Sequence, residues 1–180
     1  MDTVLNVTRD KMEKAIQTME KRFTQVRTGR ANPSMLDGVM VMYYGTPTPL
    51  QHVATISIHE ARTLAVKPFD RSTIKDVEKA INEANLGLNP NNTGESILIN
   101  IPPLTEETRK EYVKQVKHIA EEGRIALRNI RQEANTDMKK LELPEDEEKR
   151  GETRVQDLIQ EFNKIVDEKL KEKEAELMEV

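Results

Sequence analysis

The sequence predicts an α+β protein in which a three-helix bundle, discontinuous along the chain, holds an inserted small β/α domain. Apolar residues recur at helical spacing before residue 30 and again after residue 104. Between these segments, short β-prone stretches alternate with turns rich in Gly and Pro. We therefore expect the bundle to comprise residues 1–30 and 105–180, and the inserted domain to comprise residues 31–104.

The first predicted helix has an apolar 4-3-4-3 spacing, which is typical of a helix that packs on other helices. The residues in this pattern are Met12, Ile16, Met19, Phe23 and Val26. Gly29 ends the helix, and Pro33 prevents it from resuming. A single helix cannot bury such a stripe alone, so we expect it to pack with the two helices that follow the insert.

The inserted domain begins with a predicted strand within residues 36–44, followed by a turn at GTPTP. Two further strands are predicted at residues 53–58 and 63–67 because both stretches are rich in β-branched residues. Ser72 is expected to cap the helix that follows. The sequence NPNNTG predicts a second turn, before a last strand at residues 97–101.

The second long helix is predicted to begin after Thr105, whose hydroxyl can cap it, and to reach about Leu141. Glu106 and Glu107 favour this start because they lie at the positive end of the helix dipole. Pro144 and the acidic residues around it are expected to break the helix. The apolar seam of a third helix follows: Val155, Leu158, Ile159, Phe162, Ile165, Val166 and Leu170.

Two short linkers, near residues 29–32 and 102–105, join the predicted domains. Because few contacts need to cross such a double linker, it is a candidate hinge. The alternative is one compact domain with a rigid connection.

Five basic residues of the second long helix fall within an arc of about 60°, at about 100° per residue. This basic row consists of Lys110, Lys117, Arg124, Arg128 and Arg131. The apolar residues of the same helix form a separate stripe: Tyr112, Val116, Ile119, Leu127, Ile130, Ala134 and Leu141. The row is either an ordinary solvated surface or a binding surface for a polyanion. Its close arginine spacing favours a structured RNA backbone, although the formal net charge of the chain is -4.

Composition argues against several classes of function. The chain has no cysteine, and its three histidines show no metal-ligand spacing. No phosphate loop or nucleophile motif is present, so we expect neither an enzyme nor a bound cofactor or metal. The N-terminus lacks a signal-like apolar region, and no run of residues is long and apolar enough to span a membrane, so we expect a cytoplasmic protein.

Several segments resemble the successive signatures of the bacterial ribosome recycling factor family: VRTGRANPSMLDGVMVMYYGTPTPL, RTLAVKPFDRS, LGLNPN, IPPLTEETRK and RNIRQEAN. The resemblance covers essentially the whole chain. It implies an L-shaped, tRNA-like monomer that binds 23S rRNA of the large ribosomal subunit after termination. With elongation factor G and GTP, such a factor splits the ribosome and releases mRNA and tRNA, and it hydrolyses nothing itself.

The resemblance also implies roles for particular residues. Arg128 and Arg131 match the family's main rRNA contacts, and Arg27 and Arg30 match arginines near the hinge end of the bundle. Lys110, Lys117 and Arg124 are added only from their place on the helix. The hinge that the resemblance implies consists of Arg30, Ala31, Asn32, Pro102, Pro103, Leu104 and Thr105.

A coiled-coil adaptor or chaperone-like protein, with a protein as its partner, would explain the helical seams equally well. The two functions differ in their response to salt. Each phosphate contact makes log affinity fall with log salt by roughly 0.7 to 0.9, whereas binding that ignores salt would favour the adaptor.

Overall fold

The structure, a computed structural model, describes residues 1–179. The chain forms two compact units: a bundle unit made of Met1–Arg27 and the chain from Thr105 onward, and a smaller unit made of Thr28–Leu104. The bundle unit consists of three long helices, and the smaller unit mixes strands and short helices. The predicted α+β class, with a helical bundle and an inserted smaller domain, is confirmed.

The helices and strands follow one another in the order α1 (Asp2–Thr24), β1 (Met40–Tyr43), β2 (Thr46–Pro49), α2 (Leu50–Val53), β3 (Ala54–Glu60), β4 (Thr63–Pro68), α3 (Ile74–Glu83), β5 (Asn89–Asn92), β6 (Ile97–Asn100), α4 (Glu106–Lys140) and α5 (Glu145–Met178). Two 3-10 turns, Pro33–Leu36 and Arg71–Thr73, precede β1 and α3.

The bundle unit buries one apolar stripe from each of its three helices. Its fully buried side chains include Met12, Val116, Ala120, Leu127, Met138, Val155 and Val166. Ion pairs lie along the seams: Lys11 Nζ is 2.9 Å from Glu133 Oε1 of α4, and Arg9 makes two 3.1 Å hydrogen bonds to the Glu161 carboxylate of α5. α1 therefore contacts both other helices along its length.

The smaller unit is built on a four-stranded antiparallel sheet with the order β3-β4-β6-β5. A separate hairpin, β1-β2, and the helix α3 complete the unit. Its core is aliphatic and includes Leu36, Val41, Leu50, Leu64, Val66, Val77, Ile81, Ile97 and Ile99.

Two segments that the sequence predicts as turns are strands instead. Thr46–Pro49, within GTPTP, pairs with Met40–Tyr43, and the turn between them is only Tyr44 and Gly45. Both turn residues have positive φ, +48° and +83°, as a type I′ hairpin requires. Asn89–Asn92, within NPNNTG, is β5. Both strands lie at a sheet edge, where proline is tolerated because one row of ladder hydrogen bonds is not needed.

Two local predictions in the helical regions are also wrong. Asp70, not Ser72, supplies the capping side chain before α3, since its Oδ1 accepts a 3.0 Å hydrogen bond from the Ser72 amide. The predicted break near Pro144 is confirmed, since α4 ends at Lys140 and α5 begins at Glu145. The acidic residues after Pro144 form the first turn of α5, where the helix dipole favours them. Leu141 does not join the apolar stripe of α4: it is the C-cap and is 41% exposed.

The ends of both linkers are anchored in the smaller unit. The Ala31 amide donates to the Ala61 carbonyl at 2.8 Å, and the Ile101 amide donates to the Arg62 carbonyl at 2.7 Å. Ala31 is buried in the core of this unit. Both linkers are thus hydrogen-bonded to the turn between β3 and β4.

The remaining linker residues lie side by side. Gly29 has φ +79°, and a β-carbon there would be 3.5 Å from Leu104 Cγ. Asn32 accepts a hydrogen bond from the Ser34 amide at 3.0 Å, while Thr105 Oγ1 caps α4 by accepting from the Thr108 amide at 3.1 Å. Asn32 and Thr105 are therefore held by local hydrogen bonds.

Candidate RNA-binding surface

The helix α4 carries the whole basic row on one continuous element. Its 35 residues span about 50 Å at 1.5 Å per residue. The opposite stripe is buried against α1 and α5: Val116, Ile119, Ala120, Leu127, Ala134 and Met138. Packing on two neighbouring helices fixes the orientation of α4, so that Lys110, Lys117 and Arg128 are exposed, whereas Arg124 and Arg131 are half-buried.

Arg124 is the basic residue most strongly engaged within the bundle. Its Nη2 donates to Asp167 Oδ1 of α5 at 2.7 Å, and its Nη1 donates to Glu121 Oε2 at 3.3 Å. The hydrogen bond to Asp167 raises the pKa of Arg124 above its ordinary value. Only 26% of this side chain is exposed. Arg124 therefore joins α4 to α5, and it has little surface left for another partner.

Arg128 and Arg131 are less engaged by carboxylates than Arg124. Arg128 is 55% exposed and has one carboxylate partner, Glu121 Oε1, which accepts from its Nη2 at 2.9 Å. The other N–H groups of this guanidinium leave donors for a planar anion such as phosphate. Arg131 is half-buried, and within residues 1–179 it forms no ion pair.

The other basic residues predicted for the site are more scattered. Lys110 is exposed and lies 3.8 Å from Glu106 Oε1, one turn earlier on the same helix. Lys117 is exposed on α4. Arg27 follows α1 in the bundle unit, whereas Arg30 belongs to the smaller unit, and both side chains are exposed. The row is thus one surface on α4, with Arg27 and Arg30 outside it.

A shallow groove between side chains of α4 alone extends the basic surface beyond Arg131, towards the end of this helix. Arg128, Arg131 and Lys139 supply its positive charge, and amide and hydroxyl groups come from Asn129, Gln132, Asn135 and Thr136. The sequence interpretation missed Lys139. The helical arithmetic that defined the row could have found it, because eleven residues bring Lys139 to within about 20° of Arg128.

The smaller unit exposes several large apolar side chains at and near its hairpin. Met40 and Met42 of β1 are 49% and 56% exposed, and Tyr44 at the turn is 71% exposed. Phe69, beside Asp70 in sequence, is 70% exposed. Exposed apolar side chains grouped in this way are typical of a surface that contacts another protein.

Tyr44 is held in place at its tip. Its hydroxyl donates to Asp70 Oδ2 at 2.5 Å, and the Tyr43 ring packs edge-on to it, with the ring centroids 4.6 Å apart. The hydrogen bond raises the pKa of Tyr44 and, with the hydroxyl of Ser72, lowers the pKa of Asp70. The exposed ring is therefore presented in one orientation.

No group of three or more His, Asp or Glu side chains that could hold a metal ion occurs within the described residues. His118 Nε2, for example, is 2.8 Å from a single carboxylate, that of Glu122, one turn away. Among residues 1–179, no helix is both long and apolar enough to cross a membrane.

The fold and the basic surface define a class of protein: a helical bundle with an arginine-bearing helix and an inserted β/α unit. The profile of the ribosome recycling factor family matches residues 19–178. The chain is 49% identical to the ribosome-recycling factor of Bacillus licheniformis, with 98% of each chain covered. It is 46% identical to that of Marinomonas sp. strain MWYL1 over all of both chains.

Solved structures agree with these relatives. A solution structure of a ribosome recycling factor superimposes with a TM-score of 0.77 at 34% identity, covering 99% of this chain and 97% of the other. The Thermus thermophilus factor, in a structure with Escherichia coli elongation factor G bound to the E. coli post-termination complex, gives a TM-score of 0.64 at 44% identity, with 99% and 98% coverage. The chain belongs to the ribosome recycling factor family, and it is by family a translation factor.

Proposed function

We propose that this protein binds the post-termination ribosome and, with elongation factor G and GTP, splits it into subunits and releases mRNA and tRNA. The observation that carries the proposal is the full-length similarity to a factor described with elongation factor G on the post-termination complex. The protein acts by binding and by moving, and the GTPase supplies the chemical energy.

In this proposal, α4 anchors the protein to 23S rRNA of the large subunit. Arg128 and Arg131 carry most of the binding, because their guanidinium groups match phosphate geometry and are the least engaged of the arginines in the row. Lys110, Lys117, Arg27 and Arg30 add positive charge at the margins. Arg124 acts indirectly, since it is committed to Asp167 and Glu121.

In the same proposal, elongation factor G contacts the smaller unit and exerts force on it. The exposed apolar surface of this unit at Met40, Met42, Tyr44 and Phe69 suits a protein contact better than an RNA contact, since acidic residues outnumber basic ones in residues 31–104. Movement of the GTPase is then transmitted through the linkers to the anchored bundle.

The proposed hinge contains fewer residues than the hinge predicted from the sequence. Ala31 and Asn32 are bonded within the smaller unit, and Thr105 caps α4. The bending is therefore proposed for residues 28–30 and 102–104, where Gly29 has the positive φ that other residues rarely adopt.

The anchor is tested by measuring the affinity for isolated large subunits at several salt concentrations. Arg131→Ala should weaken binding roughly tenfold and lower the slope of log affinity against log salt by about 0.7 to 0.9, because one phosphate contact is lost. An unchanged affinity and slope would remove Arg131 from the interface. Arg131→Lys, which keeps the charge but loses the fork, should preserve most of the slope.

A further inference from the structure

We propose that Lys139 is a further phosphate contact of α4, so that this helix bridges two separated phosphates of one RNA element through Arg128 and Lys139. The inference rests on the proposed function and extends its contact surface by about two helical turns beyond Arg131. It assigns a binding role to a residue outside the basic row from which the RNA interface was derived.

Lys139 lies on the same face of α4 as Arg128. Eleven residues separate it from Arg128, which corresponds to about 16 Å along the axis and about 20° around it. Both side chains line the same groove. A ligand lying in that groove can therefore reach both of them without passing around the helix.

Lys139 also differs from its neighbour Lys140 in its ion pairing. It is exposed, and within the part of the chain that the structure describes it forms no ion pair. The adjacent Lys140, by contrast, lies 4.0 Å from Asp137 Oδ1 and points about 100° away around the helix. Both lysines lie in the last turn, where positive charge favours the helix dipole, so that effect does not distinguish them.

The side chains between Arg128 and Lys139 offer hydrogen-bond acceptors for RNA hydroxyl groups. Thr136 Oγ1 uses its proton on the Gln132 carbonyl at 3.0 Å, which leaves its lone pairs as acceptors. Asn135 Oδ1 is buried and has no hydrogen-bond partner within residues 1–179. Double-stranded RNA is recognised across its shallow minor groove by contacts to phosphates and 2′-hydroxyl groups. The groove offers cations about 16 Å apart, with acceptors between them.

The test compares Lys139→Ala with Lys140→Ala, which removes the same charge one residue away and outside the groove. Binding to isolated large subunits is measured across a salt series. Lys139→Ala should weaken affinity about threefold to tenfold and lower the salt slope by about 0.7 to 0.9, whereas Lys140→Ala should change the affinity less than twofold. Thermal unfolding of both variants verifies that they are folded, and Lys139→Arg should restore binding.

Equal effects of the two alanine variants would overturn the inference, because they would reflect general charge. Failure of the proposed function is distinguishable, because Arg131→Ala would then have no effect either. The absence of cysteine from the chain allows a second measurement. An iron chelate attached to Lys139→Cys should cleave the 23S rRNA backbone by hydroxyl radicals, and no cleavage of rRNA would also overturn the inference.

Discussion

Neighbouring carboxylates determine how available each arginine of α4 is. Asp167, Arg124, Glu121 and Arg128 form a chain of alternating charge, in which the two inner residues are each bonded on both sides. Arg128 ends this chain and keeps most of its donors. Arg124 therefore holds the Glu121 carboxylate to which Arg128 is hydrogen-bonded.

Tyr44 gives a residue-scale prediction for the smaller unit. Tyr44→Phe removes the hydrogen bond to Asp70 but keeps the exposed ring, so the pKa of Asp70 should rise towards its ordinary value. Because the native pKa of Asp70 is lowered, this bond stabilises the unit above about pH 4 and is lost as the pH falls through the lowered value. NMR titration of the Asp70 carboxyl in the wild type and the variant measures the change.

Tyr43→Phe is the control, since the hydroxyl that donates to Asp70 is that of Tyr44, and loss of the Tyr43 hydroxyl should leave the Asp70 titration in place. For function, Tyr44→Ser should slow ribosome splitting more than Tyr44→Phe, because only the serine variant removes the apolar ring. If Tyr44→Ser splits ribosomes at the wild-type rate, Tyr44 does not belong to the contact with the GTPase.

At the scale of elements, the close approach of α4 and α5 depends on a glycine. A β-carbon at Gly151 of α5 would lie 2.7 Å from Met138 Sδ and 2.9 Å from Met138 Cε. Met138 is fully buried among close-packed side chains, so its thioether end must adopt another rotamer within the core to admit a methyl group. The glycine lets the backbone of α5 pack directly on this methionine.

We expect Gly151→Ala to lower the free energy of unfolding by up to about 2 kcal/mol. Overpacking costs about 1 to 3 kcal/mol, and the gain in helix propensity of up to about 1 kcal/mol offsets part of it. Urea denaturation measures the difference. Gly123→Ala is the matched control: its β-carbon would be 3.1 Å from Met19 Sδ, a milder contact, so the two terms should nearly cancel. A Gly151→Ala variant more stable than the wild type would contradict this account.

The elements that sequence reasoning predicts well are those with a strong local signal. The cap at Thr105 and the seam of α1 follow from residue type and spacing alone. β2 and β5 were missed because Pro and Asn have low strand propensity, and sheet pairing overrides that propensity at an edge. The pairing of Arg124 with Asp167 joins residues 43 positions apart, so it depends on the register between two helices, which periodicity does not reveal.

At the scale of the whole molecule, hydrogen bonds fix particular residues of the two linkers. Ala31 and Ile101 are fixed to one turn of the smaller unit, and Thr105 starts the long helix of the bundle unit. The short segments 28–30 and 102–104 therefore lie next to residues that are fixed by hydrogen bonds. The proposed mechanism needs this combination, because a force applied to one unit does work on the other only when the bending is confined to the hinge.

Stopped-flow light scattering of post-termination ribosomes, mixed with this protein, elongation factor G and GTP, measures ribosome splitting. If α4 anchors the protein through Arg131, scattering should decrease with the wild type and with Lys140→Ala. The decrease should be roughly ten times slower with Arg131→Ala at subsaturating protein, since one phosphate contact contributes about 1.4 kcal/mol. Scattering that stays constant with the wild type, or falls equally fast with Arg131→Ala, would contradict the proposed function and its anchor.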